Sequence, residues 1–429
     1  MSMKIKTSTM TLIFIALYPI MPSYFEIVGI PVQYLLSLLY ILFCIFLSRG
    51  YFSTKLSTLE TLIFLWALWR SFTCVINGEL ATALWQFLTV VACYFVSHGI
   101  KDKDFFVKAI DIIIIVGVIV GVFGIIEAVT GFNVFEMLNT SGAELNYSTA
   151  RFGLRRLLSF SSHTIQYCLY CMFVLALTLY RIANDVKKKG TYYIGYMIIF
   201  ANAILSLSRG PILVMVISQL ILLYTAGFKN FVKTIIKVVA VVAVLVIVVI
   251  FAFPQVASML RQIVYMLLAV FNSSYASAIS SSFGSNLSGV GNRLDLYGWV
   301  WENLSGHYIF GKGPWAVFEH VMSYNMWTGA IYKYSIEVNY LHTMYHYGII
   351  TMVLEILMML KLMISGTSRK FKTRSETYEH RLSFGTMFAI MVFCYLISWF
   401  AVQAGSEFAV FLICMSLFLS YRKIKSVKQ

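Results

Sequence analysis

Long apolar runs constrain this chain more than any other feature. Runs that hold few or no charged side chains recur from residue 8 to residue 421. A helix needs about 20 such residues to cross the hydrocarbon core of a bilayer. Only 12% of the residues are charged, whereas a soluble domain carries about 25%. The sequence therefore predicts an all-α polytopic membrane protein.

The apolar runs predict about twelve transmembrane helices. They lie at residues 8–22, 31–48, 57–76, 80–98, 106–130, 161–182, 191–207, 211–226, 236–253, 339–363, 383–401 and 405–421. Three parts follow from this pattern. Residues 1–253 hold the first nine spans, with an outer loop near residues 131–160. Residues 254–338 form a large outer loop, and residues 339–429 hold the last three spans and a tail.

The positive charges indicate the orientation. Of the 33 Lys and Arg residues, 23 lie in one alternating set of connections that includes both termini, although the other set holds the longest loops. Cytoplasmic loops are enriched in Lys and Arg, so we expect both termini in the cytoplasm. The 131–160 loop, the turn at 208–210 and the 254–338 loop then share the outer face. This distribution accounts for the net charge of +15 without a nucleic-acid partner.

The 254–338 loop interrupts the apolar pattern and is where we expect the chemistry. Residues 256–271 predict a helix that lies in the outer membrane interface or re-enters it. Residues 272–291 are rich in Ser, Gly and Asn, and residues 292–304 predict a helix with apolar side chains near one face. Residues 306–314 hold three glycines and a proline, which would let the backbone of this turn approach a ligand closely.

Four arginines on the outer face are candidates for binding an anion. Arg209 lies in a Ser-Arg-Gly turn that opens a span, where helix amides and a guanidinium together form an anion site. Arg293 lies on the predicted loop helix, and Arg155 and Arg156 precede another span. Each could instead form a surface ion pair or an anchor to lipid headgroups. The residues of the turn that would support Arg209 are Ser208 and Gly210.

Two residues near the end of the large loop are candidates for a general base. Glu337 is a carboxylate at the predicted lipid–water boundary, where burial can tune its proton affinity. His342 and His346 are four residues apart and share one helical face. Two histidines at this spacing could ligate zinc, but no third ligand is evident, and a polar span end that faces a cavity is favoured. Two further charges inside predicted spans, Arg70 and Glu127, are either functional or snorkelling residues.

Three sequence pieces appear in a fixed order along the chain. They are SLSRGPI from residue 206, NRLDLYGWVWENLSGHYIFGKGPW from residue 292 and VNYLHTMYHYGII from residue 338. In this order, residues 206–355 resemble the superfamily of O-antigen polymerases and O-antigen ligases, which are bacterial inner-membrane glycosyltransferases. The resemblance implies a GT-C-like glycosyltransferase architecture with about 12 transmembrane helices. It also places the large loop, with its short helices, in the periplasm.

The resemblance implies a specific chemistry. The donor is an oligosaccharide on undecaprenyl pyrophosphate, and an acceptor hydroxyl attacks its anomeric carbon at the periplasmic face, with no cofactor and no metal. Arg209 and Arg293 resemble the family's arginine positions and would stabilise the leaving pyrophosphate, with Arg155 and Arg156 as further contacts. A base must take the acceptor proton, and Glu337 is the first candidate. The second candidate base is His342, and the supporting residues are Trp301 and Asn339.

One departure from the family pattern favours a polymerase. Ligases typically carry a His directly before the Asn of the last motif, and here Val338 precedes Asn339. A polymerase would join one lipid-linked repeat unit to another, and its partners would be membrane lipid, a chain-length regulator and a flippase of the same pathway. The alternatives are an O-antigen ligase, a lipid-linked oligosaccharide flippase and a structural scaffold. Transporters place their binding sites near the midplane of the membrane. The candidate binding and catalytic residues of this chain lie on the outer face instead, which disfavours a transporter.

Overall fold

The computed structural model describes residues 7–47, 56–143, 145, 156–184, 189–227, 236, 291–325, 329–367, 382–400 and 402–426. Those residues form twelve α-helices, two short 3₁₀ helices and two small antiparallel sheets. The helices are α1 (Thr7–Leu17), α2 (Val32–Leu47), α3 (Thr58–Ile76), α4 (Leu80–Gly99), α5 (Lys103–Thr130), α6 (Thr164–Asn184), α7 (Lys189–Leu205), α8 (Arg209–Thr225), α9 (Gly291–Asn303), α10 (Asn339–Thr367), α11 (Phe384–Ser398) and α12 (Glu407–Ser426). The strands are β1 (Glu26–Ile27), β2 (Ile30–Pro31), β3 (His320–Asn325) and β4 (Gly329–Lys333).

Eleven of the predicted spans coincide with helices, and residues 237–253 of the remaining one lie outside the described ranges. Five helices are long and apolar enough to cross a membrane, namely α3, α4, α5, α6 and α10. Five shorter apolar helices accompany them, in α1, α2, α7, α8 and α11. The mostly helical membrane architecture is therefore confirmed, while the total of about twelve spans stays a prediction.

Local sequence signals set where several helices begin and end. Ser57 and Glu60 form a capping box at the start of α3, in which each side chain bonds the other's backbone N–H. Asp102 caps α5 by accepting a bond from Phe105 N at 2.7 Å. Gly131 ends that helix with a left-handed φ of 74°, which glycine adopts without steric cost.

Helix α6 lies at the centre of the bundle. Almost every side chain between Tyr167 and Ile182 is buried, and the helix packs against α5, α7, α8, α11 and α12. Apolar groups on all sides of α6 are therefore covered by protein rather than by lipid. Helix α12 is likewise buried on all sides between Ala409 and Ser420. Helices such as α3, α5 and α10 bury one face, and their outward faces are apolar as expected for contact with hydrocarbon.

The connections between helices segregate to two ends of the bundle. At one end, Lys423 of α12 forms an ion pair with Glu60 of α3 at 2.7 Å, and Asn184 donates to Leu382 O at 2.8 Å. At the other end, Leu157 N bonds Leu205 O at 3.3 Å, before the start of α8. We call the second end, which holds the starts of α6, α8, α10 and α12, the outer end. The described parts of the loops predicted to share one face lie at this end.

A small cap covers part of the outer end. It consists of α9 and the β3–β4 hairpin, whose register shifts between Val321 and Ser323. Its apolar core joins the cap to the start of α10 through Leu296, Val300, Leu304, Phe318, Ile336, Val338, Leu341, Met344 and Tyr345. The predicted helix at 292–304 is confirmed as α9, but the hairpin is not predicted by the sequence pattern. The predicted interfacial helix at 256–271 and the Ser/Gly/Asn-rich residues 272–290 fall outside the described part of the chain.

Candidate functional site

The Ser-Arg-Gly turn lies between α7 and α8 at the outer end. Ser208 is the N-cap of α8, and Arg209 is the first residue of that helix. The backbone thus places Arg209 at a helix N-terminus, as predicted, while its side chain lies outside the described atoms. Gly210 has open space where a Cβ would stand, so no packing contact requires glycine there.

Arg156 is buried beneath this turn. Its Nη2 donates to Ser208 Oγ at 2.9 Å, and its Nε donates to Ser206 O at 3.4 Å. Ser208 Oγ also lies 3.1 Å from Thr164 Oγ1 at the start of α6. These bonds make Arg156 a clamp that holds the turn in place. Arg155, its predicted companion, is not among the described residues.

The segment before α6 is fixed by a second buried charge. Glu127 of α5 accepts bonds from the backbone N–H groups of Leu158 at 3.2 Å and Ser159 at 2.9 Å. Asn133 donates to Ser159 O at 2.9 Å. A carboxylate that accepts two backbone amides is well satisfied inside protein. The geometry gives Glu127, which the sequence marks as either functional or snorkelling, a structural role.

The start of α10 is bonded to the segment between α11 and α12. Asn339 N donates to Trp399 O at 2.9 Å, and Asn339 Oδ1 accepts from Ala404 N at 2.9 Å. His342 lies one turn further along α10, and the amide nitrogen of Gln403 is 2.8 Å from its Nε2. Asn339 therefore supports the position of His342, although the two residues were predicted separately.

His342 and His346 lie side by side on α10. Their ring centroids are 4.3 Å apart, and His346 Nδ1 lies 2.9 Å from Gly313 O. The His342 ring contacts Gln403 of the α11–α12 segment, whereas the His346 ring contacts Gly313 of the preceding loop. Each imidazole is thus oriented by a protein partner.

Helix α10 is broken at Gly348, where φ is 82° and ψ is 167°. The 308–313 loop docks into this break. Lys312 N donates to Tyr345 O at 2.8 Å, Gly313 N donates to His346 O at 3.1 Å, and Ile349 N donates to Tyr308 O at 2.8 Å. The loop thus supplies partners for backbone groups that the break releases, which a membrane helix requires.

Two glycines make this contact possible. A Cβ on Gly348 would overlap the carbonyl of Ile309, and a Cβ on Gly311 would overlap the backbone of His346. Both glycines also have positive φ, which other residues adopt with strain. The glycine-rich 306–314 turn was predicted to approach a ligand. In the structure, the backbone of this turn packs closely against the backbone of α10 at Gly311.

An ion pair inside the bundle adjoins the two histidines. Arg70 Nη1 of α3 lies 3.6 Å from Glu355 Oε1 of α10, and the Glu355 side chain is only 4% exposed. Thr343 donates to the other Glu355 oxygen at 2.9 Å. The Arg70 guanidinium lies 4.2 Å from the ring centroid of Tyr347, and its Nε donates to Gln86 Oε1 at 3.1 Å. Desolvated charges of this kind inside a membrane mark functional sites by default.

These groups form one contiguous set, which we call the outer polar cluster. Its members are Arg70, Gln86, His342, His346, Tyr347, Glu355 and Gln403. The sequence predicts His342 and marks His346 and Arg70, but it does not single out the other four. Glu355 could have been found, because it is a lone carboxylate within an apolar span. Gln403 and Gln86 carry no such signal, since neutral amides are common at the ends of spans.

Two other predicted residues lie apart from this cluster. Glu337 follows β4, and its side chain, 41% exposed, pairs with Lys333 Nζ at 3.0 Å. Trp301 of α9 is half exposed and has its ring 4.9 Å from that of Tyr308. Arg293 is also on α9, but its side chain is not described. The structure thus does not bring Glu337 into the outer polar cluster.

Comparison with known proteins identifies the segment that carries these features. Residues 194–356 match the family model for O-antigen ligase. Over these residues, the chain is similar to the O-antigen polymerase and ligase superfamily. Members of this superfamily are glycosyltransferase-like membrane enzymes of O-antigen and lipopolysaccharide biosynthesis. No curated protein matches the chain.

The superfamily match covers the Ser-Arg-Gly turn, α9 and the first half of α10. It ends one residue after Glu355, so both histidines and the carboxylate of the ion pair lie within it. Arg70, Gln86 and Gln403 lie outside the matched residues. The structure therefore adds groups from α3, α4 and the α11–α12 segment to those that the matched residues supply.

Proposed function

We propose that this protein is an O-antigen polymerase. It transfers glycan from undecaprenyl pyrophosphate to a sugar hydroxyl of another lipid-linked repeat unit, at the periplasmic face of the bacterial inner membrane. The observation that carries the proposal is that the Ser-Arg-Gly turn and the start of α10, both within the matched segment, lie at the same end of the bundle. The start of α6 and the α11–α12 segment link them, through the pairs Ser208–Thr164, Ser161–Ser406 and Ala404–Asn339. The same proposal makes both termini cytoplasmic.

The donor end of the reaction requires cations. Negative charge grows on the pyrophosphate as the glycosidic bond breaks, and fixed donors aimed at that charge lower the barrier. Arg209 at the N-terminus of α8 is the first candidate for this contact, because the helix amides add to its charge. Arg293 on α9 is the second. Arg156, held by Ser206 and Ser208, contributes by fixing the turn.

The acceptor end requires a base, and the structure favours His342 over Glu337. The amide nitrogen of Gln403 can only donate, so the His342 Nε2 that it contacts is the acceptor of that bond. The ring is then neutral with its proton on Nδ1, and the Gln403 amide turns away from Nε2 when that nitrogen takes the acceptor proton. Glu337 is half exposed and already paired with Lys333, which lowers its value as a base. We therefore assign the acceptor proton to His342, with Glu337 as the second candidate.

The residue before Asn339 supports a polymerase rather than a ligase. Val338 is fully buried in the apolar core between the cap and α10. A histidine, which ligases typically carry at this position, would here enter that core rather than the outer polar cluster. A ligase is the second candidate, because the matching family is described by that activity.

The polysaccharide of a deletion strain separates these functions. Loss of a polymerase should leave single repeat units on lipid A-core, seen as one band on a gel of surface lipopolysaccharide. Loss of a ligase should leave lipid A-core bare while polymer stays on its lipid carrier, and loss of a flippase should leave no repeat units outside. Complementation with the wild-type gene should restore the ladder of bands. Polymer still growing in the deletion strain would refute the proposal.

A further inference from the structure

Side chains, rather than regular secondary structure, fix the backbone of the α11–α12 segment. Residues 402–405 form neither helix nor strand. Three consecutive N–H groups that follow each donate to a side chain of a different helix, namely α10, α12 and α6. The pairs are Ala404 N with Asn339 Oδ1 at 2.9 Å, Gly405 N with Glu407 Oε2 at 3.0 Å and Ser406 N with Gln166 Oε1 at 3.3 Å. The position of this segment therefore depends on three side-chain anchors.

Glu407, the first residue of α12, is the charged anchor among the three. Its side chain is fully buried, and it accepts from the Tyr395 hydroxyl at 3.1 Å as well as from Gly405 N. A hydrogen bond to a carboxylate is stronger than one between neutral groups. Glu407 thus ties the segment both to α11 and to the start of α12, and loss of this anchor should release the segment.

We infer that Glu407 is a positioning residue for His342. Through Gly405 it fixes the backbone from which the Gln403 side chain reaches His342 Nε2. The inference rests on the proposed polymerase function, which makes His342 the base, and adds the residue that keeps this base in its reactive tautomer. Glu407 itself takes no part in the proton transfer.

The last link of this chain of contacts is the amide of Gln403. Its nitrogen lies 2.8 Å from His342 Nε2, and an amide nitrogen can only donate. The neutral imidazole must then carry its proton on Nδ1 and keep the Nε2 lone pair for the acceptor hydroxyl. Which nitrogen of a neutral histidine holds the proton is set by such partners. Displacement of the segment would remove the donor and let the two tautomers exchange.

A fixed backbone also lets the Gln403 side chain move by itself. Gln403 is half-buried, whereas Ser406 and Glu407 behind it are buried. When Nε2 takes the acceptor proton, the amide turns away while the anchored N–H groups stay in place. The amide then returns to the same nitrogen once His342 has released the proton.

Close packing against α6 supports a precise position for the segment. A Cβ on Gly405 would overlap the amide nitrogen of Gln166. One residue later, Ser406 Oγ lies 2.6 Å from Ser161 Oγ. The segment thus lies directly against the α6 side of the bundle, and a shift that follows loss of Glu407 would disturb these contacts as well.

The test uses two substitutions of Glu407 and one matched control. Glu407→Leu removes both bonds. Glu407→Gln keeps them, because its amide oxygen can accept from Gly405 N and its amide nitrogen can donate to the Tyr395 oxygen. The control is Glu60→Leu at the opposite end of the bundle, where a carboxylate that is 3% exposed accepts from Ser57 N at 2.8 Å.

The first measurement reads the tautomer of His342 and needs no activity. Full-length protein with ¹⁵N-labelled histidine is purified in detergent, and His342→Gln identifies the His342 signals in its nitrogen NMR spectrum. We expect wild type, Glu407→Gln and Glu60→Leu to show a proton on Nδ1 and a bare Nε2. Glu407→Leu should show averaged signals of the two tautomers, as Gln403→Leu should.

The second measurement is the initial rate of polymer formation with undecaprenyl-pyrophosphate-linked repeat units. A displacement of about 1 Å at a reacting group can cost about 100-fold in rate, so we expect a loss of about 10- to 100-fold in kcat for Glu407→Leu. KM should stay unchanged, since the donor contacts are elsewhere. Glu407→Gln should restore the wild-type kcat, which distinguishes a positioning residue from a proton carrier.

Three results would overturn the inference. They are a wild-type tautomer in folded Glu407→Leu, an equal change of tautomer in Glu60→Leu, and a large loss of rate in Glu407→Gln with the tautomer retained. If Glu407→Leu does not fold, the rate and tautomer of Glu407→Gln decide. A tautomer change in Glu407→Leu of a protein whose wild type makes no polymer refutes the polymerase function alone. A wild-type rate of polymer formation by Glu407→Leu refutes the positioning role alone.

Discussion

The carboxylate of Glu355 lies 3.6 Å from the guanidinium of Arg70, and the pair joins α3 to α10 inside the helix bundle. Thr343 satisfies the second carboxylate oxygen, and Tyr347 lies under the guanidinium. A buried ion pair with these added partners is costly to break from one side, because the remaining charge is left unpaired.

Glu355→Ala should therefore destabilise the protein. We expect a loss of about 3 kcal/mol, the lower end for breaking a buried pair, because Arg70 is partly exposed. The double variant Arg70→Met, Glu355→Leu should recover most of that loss, since it leaves no unpaired charge. Thermal unfolding in detergent measures both effects. Additive losses from the two single changes would contradict a direct interaction.

Gly348→Ala should disrupt the break in α10. The added Cβ would overlap the carbonyl of Ile309, and the positive φ would strain any other residue. We expect a lower melting temperature and loss of polymer on surface lipopolysaccharide gels. Gly298→Ala on α9 is the matched control, because a Cβ there meets nothing within 4 Å. Normal stability of Gly348→Ala would show that the docked loop does not depend on this glycine.

Arg156 and Arg209 should respond differently to the same substitution. Arg156→Met removes the donors to Ser206 O and Ser208 Oγ, and we expect a loss of about 1–3 kcal/mol in unfolding free energy. Arg209→Met should abolish polymerisation with a smaller loss of stability than Arg156→Met, because the proposed function gives Arg209 a role in binding the donor. Melting temperatures and polysaccharide gels of both variants provide the comparison. The reverse pattern would exchange the structural and functional roles of the two arginines.

His342→Gln and Glu337→Gln separate the two candidate bases. Loss of a general base typically lowers the rate about 10²–10⁴-fold. We expect that loss for His342→Gln and little change for Glu337→Gln, whose side chain is half exposed beside Lys333. Initial rates of polymer formation by purified protein measure the difference. A large loss confined to Glu337→Gln would reverse the assignment.

The helices could be predicted because hydropathy and span length are properties of the sequence alone. Local patterns also predict three further features. They are the α9 helix, the position of the Ser-Arg-Gly turn at the start of α8, and the polar start of α10 at His342. The break at Gly348 could not be predicted in this way. The apolar run of the sequence continues through Gly348 without a signal. The 308–313 loop, which is distant in sequence, bonds the backbone groups that the break releases.

The outer polar cluster depends on contacts that no local pattern contains. Gln86, Glu355 and Gln403 come from three separate parts of the chain and meet only after the helices pack. Arg156 was predicted to bind pyrophosphate from its position before a span. That role stays a prediction, and the contacts of Arg156 with Ser206 and Ser208, which join it to the neighbouring turn, were not predicted.

The most direct test of the central claim is polymer formation by the purified full-length protein. Wild-type protein in lipid vesicles, supplied with undecaprenyl-pyrophosphate-linked repeat units and a metal chelator, should produce a ladder of longer lipid-linked glycans. Arg209→Ala should produce none, and Arg209→Lys should retain a small fraction because Lys keeps the charge without the bidentate contact. An unchanged ladder from Arg209→Ala would contradict the account.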